Sequence, residues 1–274
     1  MVHVSNAAGF GFFDGRNMKF ETEKLSKMGV KETWLPEVCT GIEKLGLYRN
    51  RQVTTAIGDN QASFLGAAGK EENTLLVNMG TGGQISILSD QYFAEKGIEA
   101  RPFLDGKYLL VGSSLCGGKS YALLEQFFRR VVKAVTGEDS SLYPVMEQFA
   151  KTGKEQSNRI SEDRKLKIRT TFDGTRTDPK SSGSIQGLTS DNFTPEAFTY
   201  GILEGMGDEL YQMYRTIKNG TGIQIKNLIG SGNGVRKNPV FCEMLEELFQ
   251  NKLVLSAYKE EAAAGAAISS MLCS

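Results

Sequence analysis

Hydrophobic and polar positions along this 274-residue chain switch repeatedly between a period of two and a helical period, and the switches mark out the elements. The opening, Val2 to Asp14, reads as extended structure with small residues (Ser5, Asn6, Ala7, Ala8), turning at Asp14-Gly15. Glu21 to Met28 has helical spacing, with Gly29 as its stop. Gln52 to Ile57 reads as a short apolar strand ending at Gly58-Asp59, followed by a small-residue helix from Asn60 to Ala68. Thr74-Leu-Leu-Val-Asn78 and Gln84-Ile-Ser-Ile-Leu88 flank the turn Gly80-Thr-Gly-Gly83, which predicts a hairpin. Tyr108 to Val111 is a further strand, and a loop from Gly112 to Gly118 feeds an amphipathic helix over Tyr121 to Ala134.

The stretch from Gly137 to Asp191 is polar and reads as irregular. Thr194 to Lys218 predicts a long helix, with Thr194 as cap and Pro195 in its first turn. The end of the chain is the most regular. A strand at Lys226 to Ile229, a glycine turn at Gly230 to Gly234, a helix over Pro239 to Gln250, a strand at Leu253 to Leu255 and an Ala-rich helix over Glu260 to Leu272 follow one another. That β-α-β-α order predicts an α/β layer with partly parallel strands.

Composition narrows the chemistry. A hydrophobic fraction of 40% supports a sizeable core, and 32 basic residues balance 32 acidic ones. A net charge of zero gives no electrostatic reason for nucleic acid or an anionic membrane as partner. Cys39, Cys116, Cys242 and Cys273 are scattered and form no CxxC pair, which argues against a metal cluster or a disulfide framework and for a reducing, cytoplasmic setting. No uninterrupted apolar run is long enough to span a bilayer, so neither a leader nor an anchor is expected. The only histidine, His3, lies near the start and reads as an exposed side chain; histidine-dependent triads and multi-histidine metal sites drop out with it.

Three glycine-rich loops each join a strand to another element, and each can cradle a phosphate, because backbone N–H groups reach an anion where no Cβ intervenes. Gly230-Ser-Gly-Asn-Gly234 invites a dinucleotide reading, but Val235 stands where the fingerprint needs glycine or alanine. Gly112-Ser-Ser-Leu-Cys-Gly-Gly-Lys-Ser120 ends like a Walker A loop, but its first glycine falls one residue early, with Ser113 in the required place. Asp59 is the carboxylate that stands out. After a glycine at a helix start it can cap the helix, and at a strand end it can also serve as a general base.

These segments together resemble the FGGY family of carbohydrate kinases. Gly58-Asp59-Asn60-Gln61-Ala62 is similar to that family's G-D-x-Q-A segment, and Asn78-Met-Gly-Thr-Gly82 to its second phosphate loop. Gly230 to Gly234, followed by Asn238-Pro239, resembles the adenosine loop, and Glu260 to Ala267 the closing helix. The Asp59 to Ser63 run and the Ser5 to Ala8 opening look most like the sedoheptulokinases in that family.

The resemblance implies an actin-like ATPase, ribonuclease H-like fold with ATP in a cleft. Its second domain would be essentially complete and its first present only in part: residues 1–68 finish the sugar-binding domain and 69–274 form the nucleotide-side domain. By carry-over, Asp59 deprotonates a ketose hydroxyl, sedoheptulose first among them, with Asn60 beside it at the sugar. Gly80, Thr81 and Gly82 face the phosphates, and Gly117 and Gly118 bring a helix N-terminus near the nucleotide. Gly230, Gly232, Gly234 and Asn238 line the adenosine.

The partners implied are a small sugar, ATP and Mg²⁺. The family's first phosphate loop, which binds magnesium and the terminal phosphates, has no counterpart here; Asp173-Gly-Thr-Arg176 corresponds better to a loop of the second domain. The chain alone is therefore expected to be inactive and, with open strand edges near its start, prone to homo-oligomerise. A P-loop NTPase using Gly118-Lys119-Ser120 and a non-catalytic nucleotide-binding module are the alternatives.

Overall fold

The computed structural model describes residues 1–273. Its centre is a six-stranded sheet of β1 (Thr74–Met79), β2 (Gly83–Ser89), β3 (Ile98–Pro102), β4 (Tyr108–Ser114), β5 (Asn227–Ser231) and β6 (Leu253–Leu255). The order across the sheet is β6-β5-β1-β2-β4-β3. β6, β5 and β1 run parallel, with Gly230 between Val77 and Leu255. β1-β2, β2-β4 and β4-β3 are antiparallel. The predicted hairpin, the four terminal strands and helices and the partly parallel layer are all present.

Strand alternation sends side chains to both faces, and both faces are covered. On one, Leu75, Val77, Met79, Ile85, Ile87 and Leu110 are buried against four helices: α2 (Gly117–Thr136), α3 (Tyr143–Ser157), α4 (Pro195–Thr221) and α5 (Pro239–Phe249). On the other, Leu76, Leu88, Leu109 and Val111 meet Phe64 and Leu65 of α1 (Asp59–Ala68), with Ile268 of α6 (Glu261–Met271) packed against them. Each fully buried large side chain contributes about 1.5–3 kcal/mol. α1 and α6 cross at two glycines: a Cβ on Gly66 would lie 2.1 Å from the Glu261 carbonyl oxygen, and one on Gly265 1.8 Å from that of Ala62.

Three expectations are corrected. The opening is not extended. Only its ends are strand, Val2–His3 paired in parallel with Val38–Cys39 and Phe13–Asp14 antiparallel with Lys19–Phe20, while Val4–Ala7 forms a helical turn, because the His3 ring accepts the Ser5 amide and starts it. The 137–191 region is not irregular throughout: it contains α3, with Pro144 in its first turn and Met146, Ala150 and Gly153 buried at helical spacing. The loop expected from Gly112 does not begin there. β4 continues to Ser114, paired with β2 through Ser114–Gly83, because the ladder needs backbone groups and not apolar side chains.

Candidate nucleotide site

The site is built around the turn between β1 and β2. Gly80 N–H donates to the Gly82 carbonyl (3.0 Å), closing the turn. The N-terminus of α2 docks on it: Gly118 N–H donates to Gly80 O and Lys119 N–H to Thr81 O, both at 3.0 Å. From the other side comes the loop after β5, where Gly232 (φ +81°) leads into a helical turn, Asn233–Arg236.

The glycines make this convergence possible. A Cβ on Gly82 would lie 2.6 Å from Ser114 O, one on Gly117 2.4 Å from Gly83 N, and one on Gly118 2.4 Å from Gly80 O. On Gly232 it would lie 2.5 Å from Met79 O, and on Gly234 2.5 Å from Met79 Cγ. No side chain fits at such distances. Gly80 is the exception: its nearest neighbour, Gly82 O, would be 3.9 Å from a Cβ. Both Gly80 and Thr81 are exposed. The fold itself gives no reason for glycine at 80.

The remaining predicted residues are placed as follows. Gly230 belongs to β5 inside the sheet, where a Cβ would meet Val235 and Leu253 at 2.7 and 2.9 Å. Asn238 is buried and caps α5, its side chain accepting the Phe241 amide at 3.0 Å. Asp59 was expected to cap α1, but Gly58 is the cap and Asp59 the first helical residue. Its carboxylate is exposed and accepts the Asn60 amide at 2.7 Å. Asn60 Oδ1 is buried and without a hydrogen-bond partner. Among the described residues, no hydrogen bond or ion pair joins Asp59 or Asn60 to the loop residues, and α1 lies on the sheet face opposite α2.

Sequence reasoning missed the pair that braces the β5 loop. Glu261 accepts from Arg236 at 2.9 Å and from the Ser231 hydroxyl at 2.8 Å, tying α6 to the loop. Burial pushes its carboxyl up, but these hydrogen bonds outweigh burial and hold it below the usual range. The signal was present: Glu261 opens the closing helix.

The geometry gives the P-loop no support. Lys119 pairs with Asp173 at 2.6 Å, Ser120 is buried with its hydroxyl turned back to Cys116 O, and the Gly118 and Lys119 amides are taken by loop carbonyls. A separate cavity of about 840 Å³ lies against α4, lined by Thr170, Glu204 and Glu209 among others and by none of the predicted residues. Burial pushes the Glu204 carboxyl up to about 7.

A mixed sheet with this order, helices on both faces and glycine-rich turns gathered at the end of its central strands defines a layered α/β domain. Comparison with known proteins makes that specific. The model of the C-terminal domain of the FGGY family of carbohydrate kinases matches residues 75–272, and the chain belongs to that family. It is 25% identical to mouse (Mus musculus) sedoheptulokinase over 271 residues, covering 91% of this chain and 54% of that protein. It is also 25% identical to glycerol kinase 1 of Lactiplantibacillus plantarum over 284 residues, covering 97% of this chain and 52% of that one. The chain thus spans about half the length of the curated relatives it matches. The xylulose kinase of Rhodospirillum rubrum superposes with a TM-score of 0.80 at 18% identity, over 99% of this chain and 55% of that one, so the fold is the actin-like, ribonuclease H-like one.

Proposed function

We propose that this chain is the nucleotide-side part of an ATP-dependent carbohydrate kinase whose acceptor is a ketose, sedoheptulose first among the candidates. The observation that carries the reading is Gly80-Thr81: an exposed backbone turn, at the convergence of three glycine-rich segments, with a glycine that packing does not require. Phosphoryl transfer asks for in-line positioning and for donors on the phosphate oxygens, which such a turn supplies.

In this reading Gly80, Thr81 and Gly82 face the phosphates. Gly117 and Gly118 hold the α2 N-terminus beside them. Gly232 and Gly234 present the Asn233–Arg236 turn to the adenosine, and Gly230 and Asn238 shape that loop from beneath. Asp59, exposed at the start of α1, takes the proton of the attacking sugar hydroxyl, with Asn60 at the same sugar. Residues 1–68 belong to the sugar side and 69–274 to the nucleotide side. Among the described residues no group of three or more His, Cys, Asp or Glu side chains could hold a metal by itself; the Mg²⁺ of the family reaction would be held largely by the nucleotide's phosphates and waters, and no step is assigned to it. Among the described residues, too, no helix is long and apolar enough to cross a membrane.

The chain alone binds nucleotide without turnover, because a second clamp for the terminal phosphates is not among its residues. Leu47 (69% exposed) and Tyr48 (63%), on the hairpin Lys44–Tyr48/Arg51–Thr54, offer a surface for self-association. The test is coupled ADP release with ATP, Mg²⁺ and a panel of sugars, on this chain and on the same chain joined to a sugar-binding half. The joined form turns over sedoheptulose, and Asp59→Asn lowers its rate by on the order of 10²–10⁴. Full activity in that variant removes Asp59 as base, and ketose-dependent turnover by the chain alone refutes the need for a second clamp.

A further inference from the structure

His3 was expected to be an idle exposed side chain; the structure buries it completely. Its Nε2 lies 3.1 Å from the Thr40 carbonyl oxygen, which can only accept, so Nε2 carries the proton. Nδ1 is then bare and accepts from the Ser5 hydroxyl at 2.7 Å and the Ser5 amide at 3.3 Å. Having donated to the ring, Ser5 Oγ accepts the Gly58 N–H at 2.9 Å. Gly58 immediately precedes Asp59. A parallel strap, Asn6 Nδ2 to the Ala56 carbonyl at 2.8 Å, fixes the same segment two residues earlier. Every proton in the relay Thr40–His3–Ser5–Gly58 has one direction, set by a carbonyl at one end and an amide at the other.

We propose that His3 is a positioning residue, holding through Ser5 the peptide that carries Asp59, and that the neutral Nε2–H imidazole is the form in which it also accepts the Ser5 amide and so holds the whole relay. The proposal rests on the reading of Asp59 as the base. Protonating Nδ1 reverses its bond to the Ser5 hydroxyl, whose oxygen then accepts from both Nδ1–H and the Gly58 amide, and it takes from the Ser5 amide the acceptor that starts the Val4–Ala7 turn. Burial lowers the ring's affinity for a proton below the ordinary value of 6.5, while the Thr40 carbonyl and the Asp105 carboxylate oppose this. Of the charged and titratable groups around the ring, Asp105 is itself paired with Lys70 at 2.7 Å, and Cys39 stands opposite His3 in the strand pair.

Because His3 is the only histidine in the chain, imidazole NMR reads it without ambiguity. Nitrogen-15 spectra of the chain at pH 7.5 show the neutral Nε2–H tautomer. On acidification the Gly58 and Asp59 amide shifts move with the same midpoint as the ring, below 6.5. Ser5→Ala keeps the ring buried and uncouples the Gly58 amide from it. In the chain joined to a sugar-binding half, His3→Asn, whose Oδ1 can still accept from Ser5, retains more activity than His3→Leu. The leucine variant loses kcat by up to on the order of 10²-fold, the loss expected for a shift of about 1 Å at a catalytic group, with the KM for ATP unchanged.

An Nδ1–H tautomer, or a Gly58 amide blind to the ring's titration, overturns the relay. A coupled amide together with an unchanged kcat in His3→Leu overturns the positioning role. Absence of sugar-dependent turnover in the joined wild type overturns the base reading instead, and the NMR result then still decides the relay.

Discussion

Replacing Gly80 and Gly118 by alanine separates what the fold requires from what a ligand requires. In Gly118→Ala the new Cβ sits 2.4 Å from Gly80 O, about 1 Å inside ordinary contact. Opening that gap stretches the two 3.0 Å bonds, Gly118 N–H to Gly80 O and Lys119 N–H to Thr81 O, toward 4 Å, beyond hydrogen-bond range. Two lost backbone bonds at about 0.5–1.5 kcal/mol each give about 1–3 kcal/mol. Alanine's helix advantage, at most about 1 kcal/mol in a helix interior and less in a first turn, offsets only part of this. For a chain of this size the melting temperature falls by on the order of 2–12 °C.

In Gly80→Ala the Cβ has 3.9 Å of clearance and φ is not positive, so stability stays the same or rises slightly, by up to about 1 kcal/mol. If phosphate oxygens approach this turn, the methyl displaces a charge-assisted hydrogen bond of about 1.5–3 kcal/mol. The Kd for ADP then rises on the order of 10- to 100-fold. Thermal unfolding by circular dichroism and calorimetric ADP titration read both effects. A Gly80→Ala chain that melts like wild type and binds ADP like wild type refutes the assignment of this turn to phosphate. A Gly118→Ala chain of unchanged stability refutes the packing argument.

Other perturbations test neighbouring claims. Lys119→Ala breaks a solvent-exposed ion pair with Asp173 and leaves the melting temperature nearly unchanged; ADP affinity stays within twofold, and loss of binding in that variant alone would revive the P-loop. Glu204 holds its proton more tightly in the folded chain, at about 7, than in the unfolded one, at 4.5, so it weakens the fold as pH rises through that window. Glu204→Gln therefore raises the melting temperature at pH 8 and changes little at pH 4, and an equal gain at both pH values excludes the carboxyl as the cause. Gly265→Ala drives a methyl into the Ala62 carbonyl at the α1–α6 crossing and costs about 3 kcal/mol or more; urea unfolding midpoints at wild-type level count against that crossing.

The sequence by itself determined the elements whose signals are local. Thr194 and Pro195 announce the start of α4, and the Thr194 side chain does accept the Ala197 amide. Gly80 to Gly83 between two β-rich runs announces the hairpin, and the alternation in Leu75 to Met79 and Ile85 to Leu88 sorts those residues to the two faces of the sheet. The family, too, was legible, because its motifs are short backbone-defined turns spaced along one chain. Tertiary structure decided the rest. Only the fold shows that Gly230 is a sheet-core glycine and that Gly118 touches Gly80, since each depends on atoms far away in sequence. Only the fold buries His3, because the strand Val38–Cys39 and the Thr40 carbonyl that enclose it lie some 35 residues on. A local pattern fixes a residue's own backbone; whether its side chain meets water, a carbonyl or a ligand is set by what the rest of the chain brings against it.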